Sequence, residues 1–167
     1  MTTIPFSKPT LVGEEANLVR DAIGRANLAG DGHYNQLCSK WFEDYFDADT
    51  LMTSSCTHAL ELAALILDIQ PGDEVILPSF TFVSTANAFA LRGAKLVFVD
   101  IDPVTLNLDV ERIRAAITSK TRVILPVHYA GYPCEMDAIC QIANEFSLYI
   151  VELSLIHISE PTRPSSI

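Results

Sequence analysis

A chain of 167 residues, 49% hydrophobic and 19% charged, can enclose one packed core and is too apolar for a disordered polypeptide. Its net charge of -10, from 11 basic against 21 acidic side chains, excludes the basic footprint of a nucleic-acid-binding protein. No apolar run approaches the ~20 residues of a membrane-spanning helix, and the opening MTTIPFSKPT has no basic-then-apolar leader, so a cytoplasmic setting without membrane contact is expected.

In chain order, residues 12–29 place Leu18, Val19, Ala22 and Ile23 at helical spacing, with acids early where a helix N-terminus favours them. The glycine-rich AGDGHYN breaks that helix, and QLCSKWFEDYF predicts a second amphipathic one through Leu37, Trp41, Phe42, Tyr45 and Phe46. A short strand is expected over TLMTS, running directly into a strong helix, CTHALELAALILDI, with Leu60, Ala63, Ala64 and Leu67 on one stripe. QPGDEVILPS then reads as a turn and a buried strand, and VSTANAFALRGA as a helix stopped near Gly93. KLVFVDID, TRVILPVHY and SLYIVE are strands, with the helices DVERIRAAI and EMDAICQIANEF between them.

Short β-branched runs alternating with helices are how strands buried on both faces of a parallel sheet look. The expected class is therefore α/β, a mostly parallel sheet with helices on both faces. Ligands of such sheets bind beyond the carboxyl ends of the strands. That directs attention to SSCTHAL, PSFTFVSTAN, DIDPVTLN and PVHYAG.

Cys38, Cys56, Cys134 and Cys140 fit neither a CxxC pair nor a zinc pattern, so reduced thiols in or near the core, and no metal site, are expected. Cys56 stands apart because it lies in the TSSCTHAL turn. There, backbone N–H groups at a helix start, with the Ser55 and Thr57 hydroxyls, could hold an anion, although simple capping of the helix explains the same residues. Phe82 could offer a flat face to a planar ring, while for the pair Phe80 and Phe82 taken alone, burial in the core is the plainer reading. His128, just after a strand, could face a ligand or be a satisfied structural group. His33 and His58 read as exposed. GDGHYN is no dinucleotide fingerprint, since it lies between helices and lacks the third glycine, and no phosphate-binding lysine loop or GxSxG elbow occurs.

The runs GDEVILPSFTFVSTANAFALRGAKLVFVDIDPVTLNLD and ITSKTRVILPVHYAGYPCEMDAI, with AGDGHYN and SCTHALELAALILDIQPGDEV, resemble the DegT/DnrJ/EryC1/StrS family of pyridoxal-phosphate-dependent sugar aminotransferases. Within it they resemble especially the dTDP-4-amino-4,6-dideoxygalactose transaminases of enterobacterial common antigen synthesis. The likeness covers nearly everything from Ile4 to Glu152. It implies the N-terminal part of the large domain of a fold type I, aspartate-aminotransferase-like enzyme, a homodimer. It also implies pyridoxal 5'-phosphate as cofactor, a nucleotide-linked keto-sugar as substrate and glutamate as amino donor. By the same resemblance Ser55, Cys56 and Thr57 match the segment that holds the cofactor phosphate, with Cys56 where glycine is common. Phe82 matches the aromatic that stacks on the pyridine ring, and His128 lies in a stretch near the active site with its role open.

After Glu152 the family continues with Asp-Ala-Ala-Gln, whose aspartate pairs with the pyridine nitrogen, and later supplies the Schiff-base lysine. Here Leu153 follows, and Lys8, Lys40, Lys95 and Lys120 stand in none of the matching contexts. LSLIHISEPTR resembles instead a translated sequencing adapter. The expected division is a partial transferase domain over 1–152 and a non-native tail over 153–167, unpacked from Glu160 onward; a single long strand through YIVELSLIHIS is the competing reading. A sugar dehydratase of the same superfamily, with histidine in place of the lysine, and a non-catalytic fragment binding phosphate-bearing ligands are the alternative functions.

Overall fold

The computed structural model describes residues 11–155. The expectations for the opening segment and for Glu160 to Ile167 lie outside these residues. Two compact units divide between Met52 and Thr53.

The first unit holds α1 (Glu15–Gly24) and α2 (His33–Phe46). Within it the Tyr34 hydroxyl donates to Asp21 Oδ2 at 2.8 Å, and Arg25 pairs with the same carboxylate. Two helices and a loop do not enclose a core, and no residue of either helix is buried. The aromatic stripe of α2 stacks along its own surface instead, Trp41 on Tyr45 and Phe42 on Phe46. Cys38 is accordingly exposed, against the expectation that all four thiols lie in or near the core.

The second unit is the α/β body. Its elements are α3 (Cys56–Ile66), β1 (Glu74–Pro78), α4 (Val83–Ala90), β2 (Lys95–Val99), α5 (Val110–Ala116), β3 (Thr121–Ile124), α6 (Met136–Phe146) and β4 (Tyr149–Ile150). The strands pair in parallel in the order β2-β1-β3-β4. Strand side chains alternate between faces, and that alternation sorts the core into two halves. Val75, Leu77, Val123 and Leu125 pack with Leu60 and Ala64 of α3 and Ala88 and Phe89 of α4. Ile76 and Ile124 point the other way, to Ile113 of α5 and Met136, Ile139 and Ile142 of α6. Helices therefore cover both faces, as the continuous apolar strands predict.

Two expectations and the competing long-strand reading are corrected. Residues 50–54 form no strand, and Leu51 is 69% exposed, because no strand among the described residues pairs with its backbone. The turn instead closes on itself, the Thr53 hydroxyl donating to the Ser55 carbonyl at 2.9 Å. Burial on both faces holds for β1, whose five residues are all buried, but not for β2, where Lys95 and Phe98 are exposed at the sheet's margin. Finally, no single strand runs through YIVELSLIHIS within the described residues: β4 spans two residues, and Leu153 rejoins the ladder at an isolated parallel bridge with Val127. Leu153 is nevertheless 5% exposed and sits in the first core cluster.

At the amino ends of the strands Glu74 is buried, and its carboxylate accepts from Lys95 Nζ (2.8 Å) and the Thr118 hydroxyl (2.5 Å). Those partners answer the desolvation that burial of the charge would otherwise cost. Gly93, after α4, has φ +84 and an absent Cβ that would meet Pro71 backbone at 3.0 Å, so glycine is required there on both counts.

Candidate functional site

The connection leaving β1 runs through α4 to β2, and the one leaving β3 runs through α6 to β4, on opposite faces and in opposite directions along the sheet. The two loops part between β1 and β3, and such a parting leaves a crevice at the carboxyl edge. A cavity of about 460 Å³ lies there, lined by Phe80, Thr81 and Phe82 from the first loop and Val127, His128 and Tyr129 from the second.

The first loop is tied down by a 2.9 Å hydroxyl–hydroxyl bond between Thr81 and Thr85. Phe82 stands at the N-cap of α4 and is 68% exposed, while Phe80 is 39% exposed and tilts against the Tyr129 ring, centroids 4.4 Å apart. The core reading of this pair is wrong. Both residues lie past Pro78, where the chain has left the sheet.

On the second loop, His128 is 7% exposed and both ring nitrogens are engaged. The Cys134 amide donates to Nδ1 at 3.0 Å, which leaves Nε2 to donate to Glu152 Oε2 at 3.1 Å. The Cys134 side chain and then the Glu152 carboxylate push the ring up to about 9. The Cys134 thiol, however, donates to the Val127 carbonyl at 3.3 Å, so the upward push rests on Glu152. The Cys134 amide works against it, since Nδ1 can gain a proton only by giving up that bond. With both nitrogens spoken for, His128 fixes the cavity wall rather than offering a free base. The turn after it is strained, with Ala130 at φ 48 and Gly131 at φ 83.

The Ser55–Thr57 turn opens α3. Its strand-end setting is lost with the strand over 50–54, and none of its residues lines the cavity beside Phe82. The capping role is present: the Ser55 hydroxyl accepts from the His58 amide at 3.2 Å. The amides of Cys56 and Thr57 have no protein acceptor among the described residues, so the donors an anion needs are there as well. Cys56 packs its side chain against the core, and burial pushes the thiol up, so it adds neither bulk nor thiolate at the helix mouth. His58 is exposed and pairs with Ser54 at 2.8 Å.

Pattern reasoning passed over Tyr129, Glu152 and Cys134 as site residues. Glu152 was legible as an acid closing a strand two elements after PVHYAG, but no spacing relates it to His128 until β3 and β4 are known to pair.

The sequence profile of the DegT/DnrJ/EryC1/StrS aminotransferase family matches residues 9–154. An uncharacterized protein of Methanocaldococcus jannaschii is 40% identical over 150 residues, covering 89% of this chain and 39% of that protein. The chain thus spans well under half the length of that curated relative. NtdA of Bacillus subtilis, solved with bound cofactor PMP, superposes with a TM-score of 0.78 at 36% identity, over 82% of this chain and 32% of the other. The GDP-4-keto-6-deoxy-D-mannose-3-dehydratase of E. coli, solved with bound hydrated PLP, gives 0.83 at 27% identity, over 91% and 41%.

Proposed function

Because the chain belongs to the DegT/DnrJ/EryC1/StrS aminotransferase family, which is pyridoxal-phosphate-dependent, we propose that it supplies the ring-stacking and phosphate-holding part of a sugar aminotransferase. The reaction is amination of a dTDP-linked 4-keto-6-deoxy sugar to the 4-amino sugar with glutamate as donor. Its setting is cytoplasmic, in a homodimer serving surface polysaccharide synthesis, by likeness to the enterobacterial common antigen enzymes. The observation that carries the reading is the exposed Phe82 ring at the wall of an apolar cavity at the carboxyl edge, where the sheet's connections part.

When bound, pyridoxal phosphate supplies the electron sink that stabilises negative charge at the carbon losing a proton. The chain's own residues do the rest of what lies within reach here. Phe82 presents a face to stack on the pyridine. The Cys56 and Thr57 amides, with the Thr57 hydroxyl, hold the phosphate at the positive end of α3. His128, held by Glu152 and the Cys134 amide, keeps the opposite wall in place.

Titration of pyridoxamine phosphate into the chain tests this. Saturable binding is expected, weakened several-fold to about tenfold by Phe82→Ala, the worth of an aromatic stack. Thr57→Leu should weaken it too. Affinity unchanged by Phe82→Ala would sink the stacking role; unchanged affinity in Thr57→Leu would reduce that turn to a helix cap. The 0.83 likeness to a PLP-bound dehydratase favours one second reading, sugar deoxygenation. The mass of the sugar formed by an enzyme containing this segment separates the two: an added amino group for the first, loss of a hydroxyl for the second.

A further inference from the structure

Between β2 and α5 the chain makes a tight excursion that ends on one buried amide. Asp102 Oδ1 accepts from the Val104 and Thr105 amides at 2.9 and 2.8 Å, Leu106 turns through φ 62, and the Asp102 amide donates to the Asn107 carbonyl at 2.9 Å. This leaves Asn107, 4% exposed, facing the loop after β3 rather than its own. Its Nδ2 donates to the Tyr132 carbonyl at 2.9 Å, and its Oδ1 accepts from the Tyr129 amide at 3.1 Å. The two bonds close on either side of Ala130 and Gly131, both in the left-handed region. A non-glycine residue persists there only where its surroundings over-determine it. Tyr129 in turn packs on Phe80 and lines the cavity.

We infer that Asn107 is a positioning residue: its amide clamps the Tyr129–Tyr132 turn, sets the Tyr129 wall of the cavity, and thereby governs affinity for a planar phosphorylated pyridine. The inference rests on the reading of that cavity given above. An amide is required by the geometry, since one atom must accept and the other must donate. An ionised carboxylate of the same shape accepts from Tyr129 but meets the Tyr132 carbonyl acceptor to acceptor. A protonated one restores both bonds, and the carbonyl opposite favours that protonated form.

The test uses the full chain and its Asn107→Ala and Asn107→Asp variants, titrated with pyridoxamine phosphate at about pH 8 and about pH 5, each ratio taken against wild type at the same pH. Circular dichroism serves as folding control. At the higher pH both variants should bind about tenfold more weakly. Acidification should return Asn107→Asp toward wild type and leave Asn107→Ala weak, a rescue that general loss of stability does not produce. Wild-type affinity in both variants, or an Asn107→Asp deficit of equal size at the two pH values, overturns the inference. If Asn107→Ala does not fold, the Asn107→Asp pair of measurements decides alone. Amide exchange at Tyr129, read without ligand, judges the clamp separately: protected in wild type, fast in Asn107→Ala, and equal protection in the two refutes it. Non-saturable binding by wild type with that exchange difference intact would instead overturn the reading of the cavity and, with it, the assigned consequence for affinity.

Discussion

At the scale of single residues, the pair His128–Glu152 joins the ends of two strands at 3.1 Å with the imidazole almost fully buried. Its effect on stability has a definite sign. Glu152 holds the folded ring above the 6.5 of the free side chain. A raised histidine stabilises the fold fully below the unfolded value, and that contribution disappears as pH rises through the folded one. Urea midpoints of the wild type should therefore decline as pH rises above about 6.5. In Glu152→Gln the decline should flatten, and the His128 resonance should titrate closer to the ordinary value. Identical slopes in the two proteins would show that Glu152 does not hold the ring's proton.

At the scale of elements, the body is built by interruptions as much as by periodicity. α4 ends at Ala90, and the chain reverses through Gly93 against Pro71, the Gly72 amide donating to the Gly93 carbonyl at 3.0 Å. Gly93→Ala puts a Cβ into that contact and an L-residue into the left-handed region, which costs about 1–2 kcal/mol from the backbone alone. A chemical-denaturation midpoint lowered by at least that amount is expected, and an unchanged midpoint would mean that the turn relaxes freely. That glycine was legible as a helix stop. The strand expected over TLMTS was not real, because a few β-prone residues make a strand only when a neighbour accepts their hydrogen bonds.

At the scale of the whole molecule, the two lysines of the α/β body, Lys95 and Lys120, lie away from the candidate site. Lys95 starts β2 and is paired with Glu74, and Lys120 immediately precedes β3, so both are at the amino edge of the sheet, opposite the cavity. Lys40 belongs to α2 and pairs with Asp44 at 2.6 Å. Incubation with pyridoxal phosphate, borohydride reduction and peptide mapping should give scattered, substoichiometric labelling across these lysines and Lys8. One stoichiometric adduct on a single lysine, together with turnover of a keto-sugar nucleotide, would refute this.

What the sequence determined by itself was whatever depends on local periodicity and on dense likeness: the α/β class, the element order after Cys56, the two-faced burial of β1, and a family whose profile matches residues 9–154. Phe82 and His128 could be named because each follows an apolar run that can only be a strand. The tertiary structure decided everything that depends on which strands are neighbours. Pairing of β1 with β3 put Phe82 and His128 on one cavity, and pairing of β3 with β4 brought Glu152 to His128. The excursion after β2 carried Asn107 to a turn 22 residues away along the chain. Such contacts are set by sheet order, which the packing of helices on two faces selects, and no spacing in a linear sequence encodes them directly.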